Sequence, residues 1–147
     1  MSEHVVPDSE HRGLVERLPQ LPRDLAQLAR FDRPIGWWLL FWPCAFGTLL
    51  GGYGAPWEVL AILLGLYLIG AIAMRGAGCV YNDIVDARLD ASVARTAARP
   101  VASGRVSKRT AWTWLVALSL VGLAVLLQLR LQAQAIALAS LALVAAY

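Results

Sequence analysis

Four stretches of this chain are almost continuously apolar, at residues 35–53, 57–81, 111–129 and 131–147, and nearly all of its charge lies before or between them. A helix needs about 20 apolar residues to cross the hydrocarbon core of a bilayer, so the pattern predicts four membrane-spanning helices. In the first, Trp37 and Trp38 stand near the start, where indole rings favour the headgroup level. Pro43 is expected to kink that helix, because it removes a backbone donor. The second stretch carries no charge from Val59 to Met74 and then admits Arg75. The third opens on Trp112 and Trp114, read as interface anchors like the other tryptophans. The fourth is still apolar where the sequence stops at Tyr147, which fits a longer protein.

The flanks follow other patterns. Residues 1–20 are polar, hold Pro7 and Pro19, and lack the basic start and apolar core of a secretory signal; a disordered tail is expected. Over 21–33, Leu21, Leu25 and Leu28 recur at helical spacing while Arg23, Gln27 and Arg30 fall on other faces, which predicts an amphipathic helix lying in the membrane interface. Asp32 and Pro34 then read as the cap and first turn of the next helix. Five arginines precede the first span and six Lys or Arg lie between Asn82 and Thr110, whereas the other two connections hold only Glu58 and Arg130. By the positive-inside rule, the N-terminus and segment 82–110 belong on the cytoplasmic side, in a bacterial inner membrane.

Composition narrows the class. With 59% apolar residues, 16% charged residues and a mean hydropathy of +0.58, the chain is too apolar for an ordinary soluble domain. The expected fold is all-α, a polytopic transmembrane helix bundle. A net charge of +3 without a basic face interleaved with stacking aromatics argues against nucleic acid as a partner. Cys44 and Cys79 lie in apolar blocks without a CxxC pair or a histidine neighbour, and read as small packing residues.

Chemistry concentrates between Met74 and Arg109. If the second span continues as a helix, Arg75, Cys79, Asn82, Asp86 and Asp90 follow at steps of four, three, four and four, which is one face, with Asp83 adjacent. Carboxylates crowded at a membrane boundary repel one another unless a cation is present. Oxygen-only ligands suit Mg2+, which prefers a few carboxylates, waters and the oxygens of a substrate phosphate. Arg88, Arg95, Arg99, Arg105, Lys108 and Arg109 follow, and a guanidinium fork matches phosphate geometry. Arg105, Lys108 and Arg109 also read as plain topology determinants, Arg75 as a side chain snorkelling to the interface, and Asp90 as a solvated helix-end residue. An EF-hand is excluded by the helical spacing of the acids, a zinc site by the absence of histidine from the segment, and a Walker loop by its missing glycines.

The run NDIVDARLD, Asn82 to Asp90, resembles the NDxxDxxxD signature of the UbiA superfamily of membrane prenyltransferases, and RTAARPVASG resembles its RTxxRPxxSG stretch. RFDRPIGWWLLFWP, Arg30 to Pro43, and MRGAGCVYND, Met74 to Asp83, are similar to the 4-hydroxybenzoate polyprenyltransferase branch. The resemblance implies a membrane enzyme that transfers a polyprenyl group from polyprenyl diphosphate to the ring of a small aromatic acceptor, 4-hydroxybenzoate, towards ubiquinone. Asn82, Asp83, Asp86 and Asp90 would then bind Mg2+, with Asp83 and Asp86 as the principal catalytic ligands, and a second Asp-rich motif outside this chain would complete the site. Arg75, Asn82, Asp90, Arg95 and Arg99 would face the diphosphate, Gly104 would permit a turn in the overlying loop, and Arg33 would stand on the substrate side. Other acceptors (haem, a chlorophyll precursor, a naphthoate or homogentisate) fit the same motif, and a cation-transporter fragment is the alternative from another class.

Overall fold

A computed structural model describes residues 14–146. After a 3-10 turn at Leu14–Arg17 come helices α1 (Gln20–Leu28), α2 (Ile35–Gly51), α3 (Trp57–Val85), α4 (Ala87–Ser92), α5 (Lys108–Leu127) and α6 (Leu131–Ala146). There are no strands among the described residues. Prolines mark three helix starts: Pro19, Pro34 and Pro56 stand immediately before α1, α2 and α3, where a missing N–H and a fixed φ do no harm. Ser107 starts α5, its Oγ accepting from the Thr110 N–H at 3.1 Å.

The four apolar stretches are helical, as the pattern predicts, with shifted ends. The second span reaches Val85 rather than stopping near Tyr81, and the third begins at Lys108 because Ser107 caps it there. The fourth is α6, with Tyr147 outside the described residues. Pro43 lies inside α2, which is assigned as one helix from Ile35 to Gly51. Asp32 does not cap it: Pro34 holds the cap position, with no side-chain bond, and the Asp32 carboxylate is turned inward beside Arg33. The amphipathic helix ends at Leu28 rather than at 33. Of the expected disordered tail, residues 1–13 lie outside the described residues and Leu14–Arg17 is a helical turn.

α3 and α5 are long and apolar enough to cross a membrane, and α2 and α6 are shorter apolar helices. Only 11% and 17% of the most apolar windows of α3 and α5 are buried within the chain. The core helix of a soluble protein would be covered; these present their apolar sides outward, as membrane helices do. Cys44, expected to be buried, is exposed on one such surface of α2, whereas Cys79 is buried.

α3 is the axis, packed mainly against α5 and then α2. Its 29 residues extend for about 44 Å at 1.5 Å per residue. The hydrocarbon core is roughly 30 Å thick. The polar end of α3 therefore projects beyond it. There the main core forms, as Leu28 and Ala29 meet Val80 and Ile84 of α3, Val101 and Val106 of the loop, and Ala111 of α5. Trp114 fixes α1 to α5 by donating its indole N–H to the Leu25 carbonyl at 3.1 Å, and its ring meets Phe31 edge-on. It is thus a packing residue, not the lipid anchor expected.

Gly76 sits where α3 crosses this core. A Cβ there would lie 3.2 Å from each of Ala29, Leu118 and Phe31. Of the other span glycines, Gly47, Gly51, Gly65 and Gly78 would meet nothing within 4 Å. Gly76→Leu is therefore expected to overpack the junction and destabilise the protein by about 1–3 kcal/mol, read as a lowered thermal midpoint in detergent. Gly65→Leu should leave the midpoint nearly unchanged.

Candidate functional site at the polar end of the third helix

The acidic motif does not remain on one continuous helix. α3 ends at Val85, Asp86 takes φ −84° and ψ 3°, and α4 carries the chain onward from Ala87. Asp86 donates its N–H to the Asn82 carbonyl at 2.8 Å and Asp90 donates to the Asp86 carbonyl at 2.8 Å, so the helical path bends there without losing all its bonds. The motif is consequently divided between two sides. Asp83 and Asp90 are buried, at 3% and 7% exposure, while Asn82 and Asp86 face outward. Burial of Asp90 removes the reading of it as a solvated end residue.

Two buried carboxylates need cations, since desolvation penalises an unpaired charge by several kcal/mol. Arg99 supplies one: its Nη1 lies 2.9 Å from Asp90 Oδ2 and 3.4 Å from Asp83 Oδ1. Arg30 supplies the other, its Nη2 standing 3.3 Å from the same Asp83 Oδ1. Asp83 Oδ2 is buried with no hydrogen-bond partner. Thr96 anchors the start of the loop by donating to the Asp90 carbonyl at 3.0 Å.

Arg30 was not legible as a site residue. It follows α1 in a Schellman arrangement: its N–H donates to Gln27 at 3.0 Å, and the Phe31 N–H donates to Ala26 at 2.9 Å. That motif places the residue after the cap in the left-handed region, where glycine is favoured, and Arg30 has φ 58°. The unfavourable backbone is retained at the position that directs a guanidinium onto Asp83. No glycine or proline in the sequence marks it.

Arg75 is exposed and lies against the start of α2, where a Cβ on Gly36 would come within 2.6 Å of its Nε. Arg75 and Arg95 make no ion pair among the described residues, so neither is the partner of the acids; Arg99 and Arg30 are. Arg105, read as a topology determinant, pairs instead with the buried Asp24 of α1. Gly104, expected to permit a turn, has φ 78°.

The donors at this end suit a magnesium ion shared with a phosphate ligand. All are oxygens; Asn82 and Asp86 are accessible, and Asp83 keeps one unsatisfied oxygen. Among the described residues no three His, Cys, Asp or Glu side chains group closely enough to hold a metal by themselves. A cation bound by one or two carboxylates, water and phosphate oxygens does not require such a cage.

The UbiA prenyltransferase family model matches residues 40–147, which include the whole acidic segment. The chain belongs to that family. It is 45% identical over 135 residues to the 4-hydroxybenzoate polyprenyltransferase, mitochondrial, of Saccharomyces cerevisiae, covering 90% of this chain and 36% of that protein. The protein of the same name from Drosophila pseudoobscura is 46% identical over 143 residues, 97% of this chain and 36% of the relative. The 4-hydroxybenzoate octaprenyltransferase of Pseudomonas aeruginosa is 46% identical over 102 residues, 67% of this chain and 33% of the relative. The chain spans about a third of the length of these curated relatives. No solved structure matches it.

The left-handed backbone of Arg30 gives a test specific to this site. Arg30→Ala loses the ion pair and keeps the strain, whereas Arg30→Gly loses the pair and relieves it. Arg30→Gly should be the more stable of the two by about 1 kcal/mol, measured by thermal or denaturant unfolding in detergent; Arg30→Ala at least as stable as Arg30→Gly would contradict the account.

Proposed function

We propose that this chain forms the diphosphate-binding part of a magnesium-dependent prenyltransferase that moves a polyprenyl group from polyprenyl diphosphate to the ring of 4-hydroxybenzoate, in ubiquinone biosynthesis. The observation that carries this reading is the meeting of Asp83, Asp90, Arg30 and Arg99 beside the exposed Asn82 and Asp86, at the boundary between polar protein and apolar helix surface. An allylic diphosphate has the same division, an anionic head on an apolar chain. The names of the relatives support the acceptor. Another aromatic acceptor would use the same end of α3.

Loss of diphosphate from an allylic carbon requires stabilisation of the leaving oxygens and exclusion of water from the allylic cation. Mg2+, held by Asp83 and Asp86 with Asn82 and Asp90 alongside, would supply charge stabilisation to the diphosphate. Arg75 and Arg95, exposed at this end, would bind phosphate oxygens directly. Arg99 and Arg30 hold Asp83 and Asp90 in place and offset the cost of burying their charge. The outward apolar faces of α2 and α3 would receive the polyprenyl chain.

The membrane is of the bacterial inner type in this reading. The excess of basic residues before α2 and between Asn82 and Thr110 supports a cytoplasmic N-terminus and a cytoplasmic site. A water-soluble acceptor and the diphosphate head would then meet at one surface.

Prenyl transfer from a radiolabelled allylic diphosphate to 4-hydroxybenzoate, in membranes expressing this gene from its native locus, tests the proposal. Transfer should stop on chelation of Mg2+ and return on its addition. Asp86→Ala should lower kcat/KM by at least about a hundredfold, with the protein still present in the membrane. Product with another ring and none with 4-hydroxybenzoate would change the acceptor; unaltered activity in Asp86→Ala would remove the site.

A further inference from the structure

Arg105 and Asp24 form a buried pair that the proposed chemistry does not use. Asp24 lies on α1 at 1% exposure and accepts from Arg105 Nη1 at 2.5 Å. The rest of the Arg105 guanidinium grips its own loop: Nη2 donates to the Ala98 carbonyl at 2.8 Å, and Nε donates to Ser103 Oγ at 3.3 Å. Ser103 Oγ in turn donates to the Arg99 carbonyl at 2.8 Å. The loop is closed further by backbone bonds, Ser103 N–H to Arg99 and Val106 N–H to Pro100, both at 2.9 Å. One side chain thus holds the peptide on each side of Arg99, the arginine that bridges Asp83 and Asp90.

We propose that Asp24 and Arg105 are positioning residues for Arg99, so that the interfacial helix α1 sets the geometry of the diphosphate site through the loop. Asp24 is the fixed end, because α1 is anchored independently through Leu28 and the Leu25–Trp114 bond. Arg105 is the adjustable end, a fork with three separate acceptors. A lysine would keep the charge opposite Asp24, but a single ammonium cannot replace a planar fork across that set. A plain electrostatic strut between α1 and the loop would be satisfied by lysine; a device that orients Arg99 would not.

The inference rests on the prenyltransferase reading for its kinetic consequence, and it has a second readout that does not. In the membrane-inserted full chain, Arg105→Lys should preserve the amount of protein and raise KM for the allylic diphosphate about tenfold, the scale of one displaced charge-assisted contact. Asp24→Asn should do the same with additional loss of stability. Hydrogen exchange at the amides of Ser103, Gly104 and Val106 should accelerate about tenfold or more in both variants, with helix α5 unaffected. Unchanged exchange at these amides overturns the positioning role whether or not the protein transfers prenyl groups. Loosened amides with an unchanged KM would also overturn it, leaving the pair a structural strut. Absence of transfer by the unmodified protein would instead count against the prenyltransferase reading, and the exchange result would still decide whether α1 orders the loop.

Discussion

Asp83 is buried near the end of the central helix, and much of this end of the molecule is arranged around that carboxylate. A desolvated carboxylate is tolerated only with cationic or metal partners close by. Here one guanidinium comes from the end of α1 and another from the loop after α4, both reaching Asp83 Oδ1. Neither segment is adjacent to Asp83 in sequence, so satisfying one carboxylate fixes the approach of two others. Asp90 extends the constraint by sharing Arg99. Breaking such a set by removing one partner leaves a charge buried without compensation, typically more damaging than never having the pair.

The forces that hold the two ends of α3 differ. Along the apolar length, lipid chains are as apolar as the side chains, so no hydrophobic gain drives helix against helix and close fit must suffice. At the polar end water is the competitor. Leu28, Val80, Val101, Val106 and Ala111 are nearly or fully hidden from it, and burial there recovers the usual ~25 cal/mol per Å² of apolar surface. The main buried core therefore gathers toward the polar end of α3, where both the hydrophobic effect and ion pairing can act.

How far the sequence disclosed this depends on the kind of signal. The spans were legible because solvent imposes a long apolar run, and their ends moved by only a few residues where a cap such as Ser107 decided the matter. The Asn82–Asp90 segment was legible because acids at the end of an apolar helix are conspicuous. Its division was not: a continuous helix puts Asn82, Asp86 and Asp90 on one face, but the bend at Asp86 and the packing of α3 bury Asp83 and Asp90 instead. Arg30 and Asp24 were missed because their roles arise from contacts 53 and 81 residues away in the chain, which no local period carries. Arg30 was further concealed by occupying, as an arginine, a backbone position that normally signals itself with glycine.

The bend at Asp86 separates two tasks that a single helical face could not perform together. Acids that are structurally committed must be dry and paired, whereas groups that receive a charged ligand must be open to water until it arrives. Asp83 and Asp90 meet the first condition through Arg30 and Arg99, and Asn82 and Asp86 meet the second by remaining exposed. Asp83 stands between the classes: Oδ1 is committed to the arginines and Oδ2 is left unsatisfied, at about 1–3 kcal/mol for a buried polar group without a partner. A helix that ran straight on would have carried Asp90 onto the face of Asn82 and Asp86, leaving Arg99 to hold Asp83 alone. The short α4 thus links the exposed acids to the buried pair, and through Arg99 to the loop that α1 restrains.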